Sequence, residues 1–557
     1  MKIGLYLAYP PSAVSYSLKQ EGLGRYMSFL IKAFVSKGHK ITIACPKWIL
    51  SSIEELLEEE NIDKTYIEFL IPKSEPILYS WYVRLFIKKP KAKKRKRGKL
   101  AYAAFRLMDK VITGLISTKN ILIFSFFIIL VGVIGIILLP FALIACVAFL
   151  IIKLARSIFK FIFKNQNPVF TFRNLMGKIR RRFKLAAFVY DQLSGIFRPE
   201  IIKEKIRISS ANDMIGRMKY IIDPPETWYC PMAFWPEFNK LPGTKVLCVP
   251  DLVTTEFSTK FSLNRFSKAT DEVRKTIDGA EYFITYCDYV KKSLLIDRFG
   301  KNSDNIISIE HAVNQTLDFI NLKKNFNRKE LEYDVNLYYA RNIILRSVTQ
   351  NAAYMHDYLQ YPEMGFSFKD VKYIFYSSQL RPNKNIMSLI KAYEYILREK
   401  FIPIKLFLTC NLDADKEIKD YIYNNRLQYD ILCFHSVNNQ QLASLYMCAE
   451  LVVNPTLYEG GFPFTFGEGM SVGTPSIMSN IPQVTEVTDA FHLKKFIFNP
   501  YDFRDIANKI IYGLQNREEL IKCQTPLYNY LSKRTWDEVG QEYVQAFEYF
   551  TKLSKKD

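Results

Sequence analysis

The sequence predicts an α/β protein built from two doubly wound, parallel-sheet domains, the first interrupted by an α-helical membrane insert. Three observations carry this. Apolar strand-like runs alternate with helix-period segments near the start and again from about residue 244. A second series of the same kind begins at Tyr373. Between the first two strand–helix stretches lie 32 consecutive residues, 121–152, without a charge.

The opening run "KIGLYLAY" is followed by "QEGLGRYMSFLIKAFVSKGHKITIACP". Met27, Leu30, Ile31 and Phe34 recur at helical spacing, Gly38 stops the helix, and "KITIACP" reads as a second buried strand. Gly22 and Gly24 sit at the start of that helix, where free N–H groups and the helix dipole favour an anion. A G-x-G that only lets the turn pack is the competing reading.

A chain of 557 residues exceeds one ordinary domain, and 49% apolar residues supply large cores. The nine cysteines stand singly with no C-x-x-C, which argues against a zinc site or disulfide scaffold and for a reducing compartment. No metal is expected. "MKIGLYLAYPP" lacks the long apolar run of a secretory signal, so the body is expected at the cytoplasmic face of the membrane.

The net charge of +22 is not spread over the chain. Residues 84–184 hold 23 Lys and Arg against one acid, Asp109, so this segment carries the entire excess. It also contains the uncharged run, "ILIFSFFIILVGVIGIILLPFALIACVAFLII". As one helix that run would reach about 48 Å, against a hydrocarbon core of about 30 Å. Broken at Pro140 it makes two arms of about 20–30 Å. Basic flanks on both sides, "KKPKAKKRKRGK" and "KIRRRFK", favour both ends facing the cytoplasm. A hairpin, spanning or re-entrant, satisfies this. The following "KLARSIFKFIFK" reads as an amphipathic helix on anionic lipid. Nucleic-acid binding is disfavoured, because the basic run has no interleaved aromatics.

After the insert, "TKVLCVPDLV", "EYFITYCDYVKKSLLIDRFG" and "NIISIEHAVN" continue the alternation. The second series runs from "KYIFYSSQLRPNKNIMSLIKAYEYI" through "IKLFLTCN" and "DILCFHSVNNQQLASLYMCAELVVNPT" to "YEGGFPFTFGEGMSVGTPSIM". The expected divisions are 1–75 and 205–330 for the first domain, 76–204 for the insert, 331–535 for the second domain and 536–557 for a closing helix. Both parts of the first domain must lie on one side of the membrane, so the insert must enter and leave on one face.

The chemistry of these stretches is specific. Arg381 and Lys384 follow a strand in a Pro/Asn turn, where a cleft should lie, and suit a diphosphate. Glu459 and Glu468 bracket a Gly-rich, aromatic turn, and carboxylates suit sugar diols. Helix-capping carboxylates are the blander alternative. His311, a lone imidazole, reads as structural.

The stretches "EGLGRY", "GHKITIACP", "QLRPNKNI", "NNQQLASLYMCAELVVNPTLYEGG", "GEGMSVGTPSIMSN" and "RTWDEVGQEYVQAF" resemble GT-B retaining glycosyltransferases of family 4. The resemblance covers roughly 1–75 and 240–550 and is strongest after Tyr373. It implies two Rossmann-like domains closing over a nucleotide-sugar co-substrate, GDP-mannose or a UDP-hexose, with no cofactor. It also implies that Arg381 and Lys384 stabilise the leaving diphosphate, that Glu459 faces the donor sugar, and that Glu468 faces the ribose. Gly460, Gly461 and Phe462 would line the sugar and phosphate, and Ser436 and Val437 the base, while Asp251 would contribute from the facing domain. Three departures stand out. The glutamates are nine positions apart where the family pattern is eight; Pro250 occupies the place of a family His; and Arg381 lies closer to Lys384 than in many relatives. The expected activity is transfer of a hexose, mannose by the look of Phe462-Pro463-Phe464 and "VPDL", to a lipid-linked or membrane-proximal glycan with retention. A non-catalytic membrane scaffold with a degenerate transferase domain is the alternative.

Overall fold

Short runs rich in Ile, Val, Leu, Phe and Tyr, buried on both faces, make two all-parallel sheets. The computed structural model describes residues 1–11, 18, 22–73, 199–257, 263–320, 336–344, 371–434 and 437–555, with five helical positions between 122 and 129. The uncharged run and its basic flanks therefore lie almost wholly outside the described residues. Among the described residues no helix is long and apolar enough to cross a membrane.

The first sheet holds β1 Lys2–Tyr6, β2 Lys40–Ala44, β3 Ile67–Leu70, β4 Thr227–Cys230, β5 Thr244–Cys248, β6 Tyr282–Thr285 and β7 Ile306–Ser308. Its order is β3-β2-β1-β4-β5-β6-β7, every neighbouring pair parallel. The second holds β8 Tyr373–Tyr376, β9 Lys405–Leu408, β10 Ile431–Cys433, β11 Leu451–Asn454, β12 Ser476–Ser479 and β13 Ile497–Phe498. Its order is β10-β9-β8-β11-β12-β13, again parallel throughout. Each sheet reverses its winding once, at β1/β4 and at β8/β11. In open α/β sheets ligands bind beyond the strand C-termini at such a reversal.

Seven helices matter for the site: α1 Gly22–Ser36, α2 Pro199–Met218, α3 Ile386–Arg398, α4 Asn439–Met447, α5 Phe464–Met470, α6 Pro482–Thr488 and α7 Trp536–Leu553. The first sheet takes strands from both sides of the insert, since β1 pairs with β2 and with β4. The chain leaves β3 beside the helix on which it returns. The Lys73 amide donates to Asp213 on α2 at 2.8 Å, and Arg217 reaches the Ile71 carbonyl. Helix α2 runs across the division expected at 204/205, and the reason is ionic: buried Arg207 is held between Glu204 of the same helix and Glu237, 2.8 Å away. Residues 336–344 are helical, and Ala340 and Ile344 pack on the second domain.

Helix α7 belongs by sequence to the far end and by packing to the first domain. Its Val539, Tyr543, Phe547 and Phe550 are buried in the first core. The Tyr543 hydroxyl meets that of Tyr26 at 2.6 Å, and Trp536 sets its edge against Tyr26. Gly540 lets the two helices approach, because an added Cβ would collide with Ala33. A Thr535/Glu538 capping box starts the helix.

Candidate active site

The site is assembled by two turns at the reversal of the second sheet, one after β8 and one after β11. Asn383 sews them together: its side-chain amide donates to the Tyr458 carbonyl at 3.0 Å, and its own carbonyl accepts from the Leu457 amide at 2.7 Å. Asn385, left-handed at φ 53°, starts α3 and donates to the carbonyls of Pro455 and Pro500. This stitching aims Lys384 at Glu459, and their charged atoms are 2.6 Å apart. Both side chains stay partly exposed, so the pair fronts the cleft.

The first domain brings Asp251 to the same place. Burial raises the pKa of its carboxyl above the ordinary value, and Glu459 adds to the rise, while the cations Arg381 and Lys384 both oppose it. Arg381, Lys384, Glu459 and Asp251 thus share one electrostatic neighbourhood across the cleft.

Glu468 has a different setting. It does not begin a helix, as the capping alternative supposed. Helix α5 starts at Phe464, and Glu468 lies inside it, 4% exposed. Its carboxylate accepts from the Tyr446 hydroxyl at 2.8 Å and from the Asn314 amide at 3.2 Å, and Arg25 of α1 lies 3.4 Å away. Its backbone carbonyl accepts from Thr316 at 2.8 Å. Donors from both domains therefore converge on this one residue.

Gly460 and Gly461 allow close approach of the domains. A Cβ on Gly460 would strike the Pro250 carbonyl, and one on Gly461 would crowd Tyr286 at 3.2 Å. The Gly460 carbonyl faces the Cys287 thiol at 3.3 Å, and the Glu459 carbonyl accepts from Gln483 of α6 at 2.8 Å. Of the aromatics, Phe466 is wholly within the second core, with Phe462 edge-on to it at 5.3 Å, while Phe464 stacks on His311 at 3.9 Å. Gly24 is buried, and an added Cβ there would collide with the Leu18 carbonyl, so its lack of a side chain serves packing. Gly22 is exposed with open space around it. Val437 is half-buried beside the second sheet; Ser436 lies outside the described residues.

Several of these partners were not legible in advance. Arg25 stands in the quoted "EGLGRY", but nothing in that string says its side chain crosses to Glu468. Tyr446 and Asn314 read as ordinary helix and loop residues. Glu486 of α6 caps the first domain from across the cleft, accepting from the backbone amides of Asp288 and Tyr289. Among the described residues no cluster of three or more His, Cys, Asp or Glu side chains could hold a metal ion, and their eight cysteines are free.

Next to this site is a small crevice between the domains, lined among others by Tyr286, His311, Phe462, Phe464, Gln483 and Glu486. His311 is neutral there: burial lowers its pKa from 6.5 to about 4. Between those two values the unfolded chain takes up a proton that the folded chain refuses. The contribution to stability is therefore complete above pH 6.5 and is lost as pH falls toward 4. Replacing His311 by Gln is expected to remove about 1–2 kcal/mol of the stability loss between pH 7 and pH 5. Paired melting curves at the two pH values check this; parallel shifts in both proteins would rule it out.

Comparison with known proteins follows the same division. Residues 361–529 match the family profile "Glycosyl transferases group 1". An uncharacterized glycosyltransferase of Methanocaldococcus jannaschii is 25% identical over 181 residues, 32% of this chain and 45% of that one. The O-antigen chain mannosyltransferase B of Escherichia coli is 28% identical over 146 residues, 26% and 37% respectively. The chain thus spans less than half the length of each of these relatives. The crystal structure of Anabaena HepE in complex with UDP and glucose matches at a TM-score of 0.51 with 10% identity, over 98% of this chain and 99% of that one. The second sheet and its turns are therefore similar in sequence to glycosyl transferases group 1, and the two-sheet frame is similar in fold to HepE.

Proposed function

We propose that this protein is a membrane-associated glycosyltransferase that moves a hexose from a nucleotide sugar to a lipid-linked or membrane-proximal glycan acceptor, with retention. The observation that carries this reading is the Lys384–Glu459 pair, 2.6 Å apart at the reversal of the second sheet and facing Asp251 of the other domain. A sugar diphosphate needs cations at its phosphates and a carboxylate at its hydroxyls, and this pair offers both within one side chain's length. Lys384 and Arg381 stabilise the departing diphosphate as charge develops on it. Glu459 orients the sugar ring. Asp251 meets the acceptor hydroxyl from the facing domain, and the departing phosphate takes the acceptor proton. Glu468 holds the ribose, Gly460, Gly461 and Phe462 border the sugar, Ser436 and Val437 border the base, and Gly22 offers its amide to phosphate.

The donor we favour is GDP-mannose, with a UDP-hexose second. Similarity to the mannosyltransferase supports the sugar, and HepE with UDP and glucose supports the class of donor. The basic and uncharged segment 76–204 docks the cleft on anionic lipid at the cytoplasmic face. The junction at Lys73 and Asp213 supports entry and exit on one side of the sheet.

Full-length protein should be incubated with liposomes of anionic lipid and a panel of labelled nucleotide sugars. Donor hydrolysis or transfer with one sugar, lost in Glu459→Ala, is the expected result. No turnover and no binding of any donor would refute the reading.

A further inference from the structure

Arg25 has no assigned role, and its position is costly for a residue without one. It occupies the first turn of α1, a helix with no acid in that turn. A cation there opposes the helix dipole. Its side chain is 23% exposed, and its guanidinium lies at the cleft, 3.4 Å from Glu468 of the other domain. Among the described residues this single carboxylate oxygen is its one partner, so most of its five N–H donors are free. It stands beside Gly22, which is exposed and open.

The charge balance of the cleft gives this cation a purpose. Lys384 is already paired with Glu459, and Asp251 lies within the electrostatic reach of both Arg381 and Lys384. A diphosphate bringing about two negative charges therefore arrives where two cations are already countered by two carboxylates. A third carboxylate, Glu468, would make the site net negative were Arg25 absent. A cation from the opposite domain both neutralises Glu468 and keeps donors in reserve. Guanidinium forks suit phosphate oxygens. Because Glu468 is the proposed ribose seat, a group 3.4 Å from it is one linkage away from the first phosphate.

We propose that Arg25 is a donor-diphosphate ligand supplied by the first domain, which turns from Glu468 onto the phosphates and so makes closure of the cleft depend on the donor's charge. This rests on the nucleotide-sugar reading above and adds to it a third cation across the cleft.

The test compares charged and uncharged probes on full-length wild type, Arg25→Ala and Arg25→Lys. UDP and GDP are titrated by calorimetry; uridine and guanosine are followed by saturation-transfer NMR. The expected result is that Arg25→Ala weakens the preferred diphosphate by about 10–100-fold, with its nucleoside changed less than about twofold. Arg25→Lys should recover part of the loss, and the wild-type diphosphate affinity should fall more steeply with salt than that of Arg25→Ala. The ratio of the two affinities does not depend on how much of the variant is folded. Equal losses for diphosphate and nucleoside, or no loss for either, overturn the role of Arg25 while the donor reading stands. Failure of wild type to bind either diphosphate overturns both.

Discussion

Lys384→Ala is expected to lower kcat for sugar transfer by about 10²–10³-fold, because an electrostatic donor aimed at the leaving group is worth that much in a partly closed site. The change removes the cation 2.6 Å from Glu459 and leaves that carboxylate facing an incoming diphosphate unneutralised. Donor binding should weaken as well, so kcat/KM falls further than kcat. Lys384→Arg should restore only part of the rate, since a planar fork does not replace a compact ammonium seated against one oxygen. Steady-state kinetics with the donor found in the panel measure this. Full activity in Lys384→Ala would remove the lysine from the mechanism. A matched thermal melt guards against misfolding: the side chain is partly exposed, and its loss should not unfold the domain.

Phe547→Ala should destabilise the first domain by about 3–5 kcal/mol, the usual cost of emptying a wholly buried aromatic site. Against total stabilities of about 5–15 kcal/mol this is a large fraction. Phe547 is fully buried and its ring neighbours are Phe34 at 6.1 Å, Tyr229 at 5.7 Å and Tyr543 at 5.9 Å. Two of those neighbours precede it by more than three hundred residues in sequence. Tryptophan fluorescence reports mainly on this region, because four of the five tryptophans, Trp48, Trp228, Trp235 and Trp536, belong to or pack against the first core; Trp81 lies outside the described residues. A denaturant midpoint followed by their fluorescence should drop sharply. An unchanged midpoint would mean that α7 only leans on the domain.

The strand–helix alternation was legible because parallel strands buried on both faces are plain apolar runs, as at β2 and β11. β3 and β4 were harder. "IEFL" and "TWYC" are four residues long and flank the insert, so no periodicity builds up. The Lys384–Glu459 pairing could be expected from two motifs, but the stitch that makes it, Asn383 and Asn385 across 70 or more residues, could not. Side-chain amides in turns have many possible partners, and only the fold chooses among them. The same holds for Glu468. Its presence beside glycines is a sequence fact; that Tyr446, Asn314 and Arg25 converge on it is not.

Local rules settle what depends on neighbours along the chain: apolar periodicity, the turn chemistry around Arg381 and Lys384, and the concentration of all excess charge in one uncharged-cored segment. Contacts between distant parts of the chain were decided by packing alone. Helix α7 returns to the first core because Tyr543, Phe547 and Phe550 find apolar partners there, and Arg25 reaches Glu468 because the start of α1 meets α5 across the cleft. Burial and charge pairing depend on distance in space, and a string of residues carries no direct record of that distance.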